Sequence, residues 1–144
     1  MNSNFQTAIH ATTHCLVGCS IGEVLGMVLA TYFGLSNFNS IFISILLAFV
    51  FGYSLTLLPL LRHGLSIKKS LGIAVASDSV SITSMEIMDN LVIVLVPSAL
   101  NAKLNDSLFW ESLIASLIIA FFVTVPVNYF FIKKGVGHAH SHQH

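Results

Sequence analysis

The sequence predicts an all-α, polytopic membrane protein built as a bundle of four transmembrane helices. Of its 144 residues, 55% are hydrophobic and only 8% are charged, whereas soluble domains usually carry about 25% charged residues. The apolar residues also fall into four runs that are each long enough to cross a bilayer, which takes roughly 20 residues. So few charges cannot cover a water-exposed surface, and membrane lipid is therefore the expected surrounding of most of the chain.

The four runs cover about 5–33, 41–61, 71–96 and 108–132. Segments with turn-forming residues separate them, and Asp106 is expected to cap the helix that begins at Ser107. The stretch 65–71 carries two lysines and is expected to lie along the membrane interface. Residues 1–137 are expected to form one domain, and a histidine-rich tail follows at 138–144.

The lysines and arginines predict the orientation of the bundle. With four spans, one side holds five of the six basic residues, namely Arg62, Lys68, Lys69, Lys133 and Lys134. The other side holds only Lys103. Cytoplasmic loops carry the excess of lysine and arginine, so both termini are expected in the cytoplasm, with the chain in a bacterial inner (cytoplasmic) membrane.

Several classes of function are disfavoured by composition. The net charge is zero, so nothing indicates a nucleic-acid partner. The two cysteines cannot form a disulfide framework. No activated serine constellation and no His-Glu-x-x-His motif are present, and an enzyme is therefore not expected.

The positions of the acidic residues are the informative feature. Glu111 lies in the first turns of the fourth run, whereas four of the six acids lie deep inside the apolar runs: Glu23, Asp78, Glu86 and Asp89. Each should cost a few kcal/mol at membrane depth unless it is paired, protonated or bound to a metal. No lysine or arginine lies inside a run, so internal salt bridges cannot account for them. Two interpretations remain open: the acids stay protonated and bond to nearby Ser and Thr groups, or they handle protons or a cation.

The first run carries two neighbouring rows of residues four positions apart, which share one helix face. Cys15, Cys19 and Glu23 form one row, with His14 beside it. The cysteines are either small apolar filler, metal ligands or redox-active thiols. The second row consists of Gly18, Gly22 and Gly26. Its doubled small-xxx-small spacing predicts close helix packing within or between subunits.

The third run presents a matching polar face, formed by Asp78, Met85, Glu86 and Asp89 within roughly a 100° arc at 3.6 residues per turn. The first and third helices cross the membrane in the same direction. Their polar faces are therefore expected to meet in one core in the cytoplasmic half and middle of the bilayer. The residues expected to surround that core are Tyr53, Thr56 and Asn128.

Several of these segments resemble a known family of bacterial membrane proteins, catalogued as a domain of unknown function. The resemblance covers about residues 10–134 and supports four membrane helices, but it implies no activity, and the tail lies outside it. The segments that carry it are His14-Cys15-x-x-Gly18-Cys19-x-x-Gly22-Glu23, Phe51-Gly52-Tyr53-x-Leu55-Thr56-Leu57-x-Pro59, Asp78-x-Val80-Ser81-Ile82-x-x-Met85-Glu86-x-x-Asp89-Asn90 and Pro126-Val127-Asn128.

The donor types in these rows suggest a transition metal as cofactor or cargo. Thiols and thioethers favour Cu(I), imidazole suits several transition metals and carboxylates suit harder ions, so copper is expected first and zinc or iron next. The predicted ligands are His14 at the cytoplasmic mouth, Cys15, Cys19, Glu23, Asp78, Met85, Glu86 and Asp89. The tail either gathers such ions for the site or is an exposed end or an artefact, and its histidines are His138, His140, His142 and His144.

Three functions remain open on the sequence alone. The first is a protein that moves a transition metal or hands it over, with a metallochaperone as a partner. The second is a proton-coupled or cation-conducting transporter in which the acids act and the cysteines only pack. The third is a membrane thiol oxidoreductase, although the usual Cys-x-x-Cys spacing is absent. Because four helices provide little room for a path, a homo-oligomer is expected.

Overall fold

The computed structural model describes residues 3–134, which form four long helices joined by short connections. The helices are α1 (Ser3–Phe33), α2 (Asn37–Arg62), α3 (Ile67–Leu95) and α4 (Ser107–Lys133), and a short 3₁₀ helix (Ala99–Asn101) lies between the last two. No strand occurs between residues 3 and 134. The predicted all-α, four-helix class is therefore confirmed.

Each of the four helices is long and apolar enough to cross a membrane. They contain 26 to 31 residues, about 39–46 Å at 1.5 Å per residue, and the hydrocarbon core of a bilayer is about 30 Å thick. Large apolar side chains point outward, including Phe38 (78% exposed) and Phe122 (71% exposed). Such a surface suits lipid, because a soluble protein rarely exposes contiguous apolar patches of this size.

Two glycines end the first two helices. Gly34 and Gly64 have φ values of +62° and +85°, a left-handed conformation that costs glycine little because it has no Cβ. At each end the next residue turns back onto the helix: the Leu35 amide donates to the Ala30 carbonyl at 2.9 Å. These bonds satisfy carbonyls that would otherwise lack a partner, so the connections to α2 and α3 are short.

Two local expectations need correction. The stretch 65–71 mostly belongs to α3, because the helix begins at Ile67 and the Ser66 hydroxyl accepts from the Lys69 amide at 3.4 Å as its N-cap. Asp106 occupies the N-cap position of α4, but its side chain makes no capping bond there. Its Oδ2 accepts from the Lys103 amide at 2.8 Å instead, so this carboxylate holds the preceding turn rather than the helix.

The helices pack as a bundle with two distinct ends. α1 lies against α2 and α4, α3 lies against the same two helices, and α1 meets α3 across the centre. We call the end formed by the connections 34–36 and 96–106 the Lys103 end. The opposite end, with the 63–66 connection, is called the basic end because it carries Arg62, Lys68, Lys69, Lys133 and Lys134.

The glycine row of α1 lies directly against α2. A Cβ added at Gly22 would lie 2.5 Å from the Ala48 Cα, and one added at Gly18 would lie 2.8 Å from the Gly52 Cα. Those separations are far below the 3.5–4.0 Å that carbon atoms prefer, so only glycine permits this approach. The row thus packs within one chain, with the contacts Gly18 to Gly52, Gly22 to Ala48 and Gly26 to Ser44.

Candidate functional site

Three of the four membrane-depth acids meet between α1 and α3. Glu23 on α1 and Glu86 and Asp89 on α3 each bring a carboxylate oxygen within 4.8 Å of the other two. All three are buried, with exposed fractions of 8%, 4% and 0% respectively. We call this group the acid triad, and it places three acidic groups in a space from which bulk water is nearly excluded.

The acid triad is poorly supplied with hydrogen-bond donors. Asn90 donates from Nδ2 to the Glu86 backbone carbonyl at 2.8 Å, and the same nitrogen lies 3.5 Å from Glu86 Oε2. Glu23 Oε2, Glu86 Oε1 and both oxygens of Asp89 are buried and accept no bond from a fixed donor among residues 3–134, although Glu23 and Asp89 lie close enough to share a proton and the Cys19 thiol adjoins Glu86. Buried polar atoms are normally satisfied, so four such oxygens in one cluster indicate that protons or a ligand complete the site.

A cavity of about 410 Å³ connects the acid triad with the Lys103 end. Glu23 and Glu86 form its floor, and residues of both connections, including Leu35 and Lys103, form its rim. Asn37 on α2 donates from Nδ2 to Asn101 Oδ1 at 2.8 Å across this rim. The acids are therefore buried with respect to the bundle surface but adjacent to a space that a small solute can occupy.

A family model described as a domain of unknown function (DUF4396) matches residues 4–137. The chain belongs to this family. The expected resemblance to an uncharacterised family is thereby confirmed, and the match spans the whole four-helix bundle. No curated protein and no solved structure matches the chain, so the chemistry of this DUF4396 domain has to be argued from its own residues.

The depth of the acid triad differs from the sequence-based expectation. The sequence predicted one polar core towards the basic end and the middle of the membrane. Asp89 instead lies in the last two turns of α3, and Glu23 lies in the second half of α1, next to the cavity at the Lys103 end. Glu23, Glu86 and Asp89 do meet, but the level at which Glu23 and Glu86 adjoin the cavity depends on helix packing, which no residue pattern reveals.

The cysteines and Met85 of the DUF4396 domain lie beside the acid triad rather than within it. Cys15, Cys19 and Met85 are at most 1% exposed and pack with Ile82 and Ala120 in the apolar centre of the bundle. The Cys19 thiol lies beside the Glu86 carboxyl, and both cysteines are free thiols. The predicted mixed set of soft and hard donors is thus not assembled around one point in this structure.

Asp78 belongs to a second polar group, nearer the basic end. It is fully buried, and its Oδ1 accepts from Ser77 Oγ at 2.8 Å. In the same region Asn128 donates from Nδ2 to Thr12 Oγ1 at 2.8 Å and to Ser81 Oγ at 2.9 Å. Asn128 therefore joins α4 to α1 and α3, which is a bundle-stabilising role rather than contact with the acid triad.

The remaining predicted residues lie away from the acid triad. His14 is half-buried and lines a separate groove on the outside of α1 with His10. Tyr53 Oη bonds to Ser79 Oγ at 2.8 Å, and Thr56 is half-buried on α2 without a place in the triad. The four predicted tail ligands, His138, His140, His142 and His144, lie outside the described residues.

Two residues beside the acid triad, Asn90 and Ser116, were not predicted from the sequence as site residues. Asn90 follows Glu86 by one helical turn, a spacing at which side chains meet, so its amide was a detectable signal. Ser116 lies beside Asp89, but its hydroxyl donates to the Leu113 carbonyl at 2.9 Å. Because Ser116 is on α4, its proximity depends on helix packing and has no signature along the chain.

Proposed function

We propose that this protein is a proton-coupled cation transporter whose binding site is the acid triad. The observation that carries the proposal is a cluster of three buried carboxyls, two of which, Glu23 and Glu86, line a cavity that reaches one end of the bundle. Four oxygens of this cluster accept no bond from a fixed donor among the described residues, so protons on the acids or an incoming cation complete their contacts.

Electrostatics explains why such a site couples a cation to protons. Two carboxylates with oxygens within 4.8 Å of each other repel each other by on the order of 3 kcal/mol at an effective dielectric constant of about 20, and burial adds a desolvation cost for each charge. Three ionised carboxyls are therefore not stable together without a counter-charge. Protons supply it in the resting site, and an incoming cation replaces them, so cation entry and proton release are linked.

The donor chemistry favours protons and cations that prefer oxygen over Cu(I). Among residues 3–134, the only cluster of three or more potential metal-binding side chains is the acid triad, which contains neither thiol nor imidazole. Oxygen donors suit hard cations, and soft ions prefer sulfur. The copper site, its metallochaperone and the zinc or iron alternatives stay predictions, supported by the Cys19 thiol beside Glu86.

Passage to the other side requires the helices to rearrange. Met85 and Ile82 precede Glu86 on α3 towards the basic end, and both are fully buried in the apolar centre with Cys19. This packed layer lies between the acid triad and the basic end, whereas the cavity leads from Glu23 and Glu86 to the Lys103 end. A second conformation that opens the layer would complete an alternating-access path.

The orientation and oligomeric state belong to the same proposal. The excess of basic residues at the basic end supports a cytoplasmic location for that end, and in this orientation the cavity would face the outside of the cell. We retain the homo-oligomer as a proposal. The glycine row of α1 is already used against α2, so contact between copies would use another face of the bundle.

The proposal is tested by proton release in proteoliposomes. Purified full-length protein is reconstituted with a trapped pH-sensitive dye, and potassium, Mn²⁺ or tetramethylammonium is added outside. At least one cation is expected to raise the internal pH, because its entry drives proton export. Glu86→Gln is expected to abolish this signal. Glu111→Gln is the matched control, because Glu111 is an exposed carboxyl on α4 outside the cavity.

Infrared spectroscopy provides a second, independent measurement on the same variants. The resting protein is expected to show the C=O stretch of protonated carboxyls, reduced in Glu23→Gln and Glu86→Gln but not in Glu111→Gln. Transfer to D₂O should shift that band quickly, since the cavity brings solvent to the acid triad. Equal proton signals in Glu86→Gln and Glu111→Gln, or a missing carboxyl band, would refute the proposed function.

A further inference from the structure

The cavity above the acid triad is much larger than a metal ion needs. Its volume of about 410 Å³ corresponds to about a dozen water molecules at roughly 30 Å³ each. Pockets for small organic ligands occupy about 300–1,000 Å³. A site built only for a proton or a bare ion does not require this space, so the cavity suggests a small organic ligand.

The cavity is chemically asymmetric along its depth. Its walls are largely apolar, with Met27, Ile41, Ile93, Phe109 and Leu113 among them, and its floor carries Glu23 and Glu86. Small-molecule sites typically combine such walls with a few placed polar groups that orient the ligand. A ligand matching this cavity therefore has an apolar portion in the upper part and a polar group at the floor.

The polar group of that ligand is cationic. Of the described residues lining the cavity, Lys103 at the rim is the only basic one, and none lies at the floor. An anion would place its charge against two carboxyls, and a neutral ligand would supply no counter-charge for Glu23 and Glu86. A cation bearing N–H groups both neutralises these acids and donates to their unpartnered oxygens.

An aromatic residue adds a second contact, suited to the apolar part of the ligand. Phe109 on α4 is 9% exposed and lines the cavity, and its ring stands edge-on to that of Trp110 at 5.2 Å. Aromatic faces attract cations as well as apolar groups. Trp110 is the single tryptophan of the chain, so its fluorescence reports on the wall of this cavity.

We propose that the cavity binds a small organic ammonium ion, with its nitrogen against Glu23 and Glu86 and its apolar body against the wall around Phe109. This inference rests on the proposed function, since it names the class of cation that reaches the acid triad. The ligand is an amine about the size of an arylalkyl ammonium, which fits within the volume of the cavity.

Binding to the full-length protein in detergent tests the inference. The probe is phenethylammonium chloride, and the matched control is 2-phenylethanol, which has a similar shape but no charge. Isothermal titration calorimetry and Trp110 fluorescence are the measurements. We expect the alcohol to bind at least about tenfold more weakly, because it cannot neutralise the buried acids. MnCl₂ is titrated in parallel to detect a site for a bare ion.

Three variants separate the floor, the wall and the general surface. Glu86→Gln is expected to weaken phenethylammonium binding by about tenfold or more, and Glu111→Gln is expected to leave it within about twofold. Ile93→Trp fills part of the cavity from a half-buried wall position. It should weaken phenethylammonium binding while sparing methylammonium, a result that a merely unfolded variant would not produce.

Several results would overturn the inference. Equal binding of the alcohol and the amine would show a plain apolar pocket, and tight Mn²⁺ binding without amine binding would show an ion site. Absence of binding by all three probes would also overturn it. If the amine fails while cation-driven proton release persists in liposomes, only the ligand class is wrong. If Glu86→Gln leaves proton release intact, the proposed function itself fails.

Discussion

The contact between the glycine row of α1 and the backbone of α2 leads to a quantitative prediction for Gly22→Ala. The added Cβ would lie 2.5 Å from the Ala48 Cα and 2.8 Å from the Leu47 carbonyl carbon. Carbon atoms prefer about 3.5–4.0 Å, so the helices must separate by about 1 Å. Both neighbours are backbone atoms, and they cannot move aside as a flexible side chain can.

The expected cost follows from two opposing effects. Overpacking of this kind typically costs about 1–3 kcal/mol, whereas alanine favours a helix over glycine by about 1 kcal/mol. Gly22→Ala should therefore lower the free energy of unfolding by up to about 2 kcal/mol. A matched control is Gly72→Ala on α3, where nothing lies within 4 Å of an added Cβ, and this variant should stabilise the protein by up to about 1 kcal/mol.

The assay is unfolding of the detergent-solubilised protein, followed by circular dichroism during denaturant titration. Ala48→Gly should not rescue Gly22→Ala, because the clash involves the Ala48 backbone rather than its methyl group. If Gly22→Ala and Gly72→Ala change stability equally, the close approach of α1 and α2 is incorrect. Rescue by Ala48→Gly would show instead that side-chain packing alone separates the helices.

Three further predictions address orientation, metal binding and the polar bridge. In intact cells of a Cys15→Ser/Cys19→Ser background, a membrane-impermeant thiol reagent should label Lys103→Cys but not Lys68→Cys. Labelling of Lys68→Cys alone would show that the orientation is the opposite of the one proposed. If copper binds the cysteines, Cys15→Ser/Cys19→Ser should lose most Cu(I) binding, measured by elemental analysis in protein truncated after Gly137. If the truncated parent itself binds no Cu(I) at micromolar concentration, the copper prediction is wrong. Asn128→Ala should lower the free energy of unfolding by about 1–3 kcal/mol, because it leaves the buried Thr12 and Ser81 hydroxyls without that donor. Asn105→Ala at an exposed position should be nearly neutral in the same unfolding assay, and equal losses would contradict the three-helix bridge.

The fold was largely predictable because its signals are local. Hydrophobic runs of bilayer length, the turn residue Gly34 and the spacing of Gly18, Gly22 and Gly26 depend only on neighbouring positions along one helix. They predicted the four helices and a close-packing face, and α1 does place that face against α2. Helix boundaries differed by a few residues at α3, since caps such as Ser66 extend a helix beyond its apolar part.

The site was predictable only in part. The 3.6-residue period identified Glu23 and Glu86 as residues that could meet, and they do. It also grouped Met85 and Asp78 with them, although Met85 packs in the apolar centre and Asp78 lies in a separate polar group. A face about 100° wide spans contacts with more than one neighbouring helix, so residues on the same face need not reach the same point.

By itself the sequence determined that four apolar helices form and that four acids must be neutralised inside them. Only the tertiary structure decided that Glu23, Glu86 and Asp89 converge while Cys15 and Cys19 remain in an apolar layer. It also decided that the acid triad opens through a cavity to the Lys103 end. The physical reason is that residue spacing specifies which side chains share a helix face, whereas helix rotation, depth and the space between helices come from close packing of all four helices together.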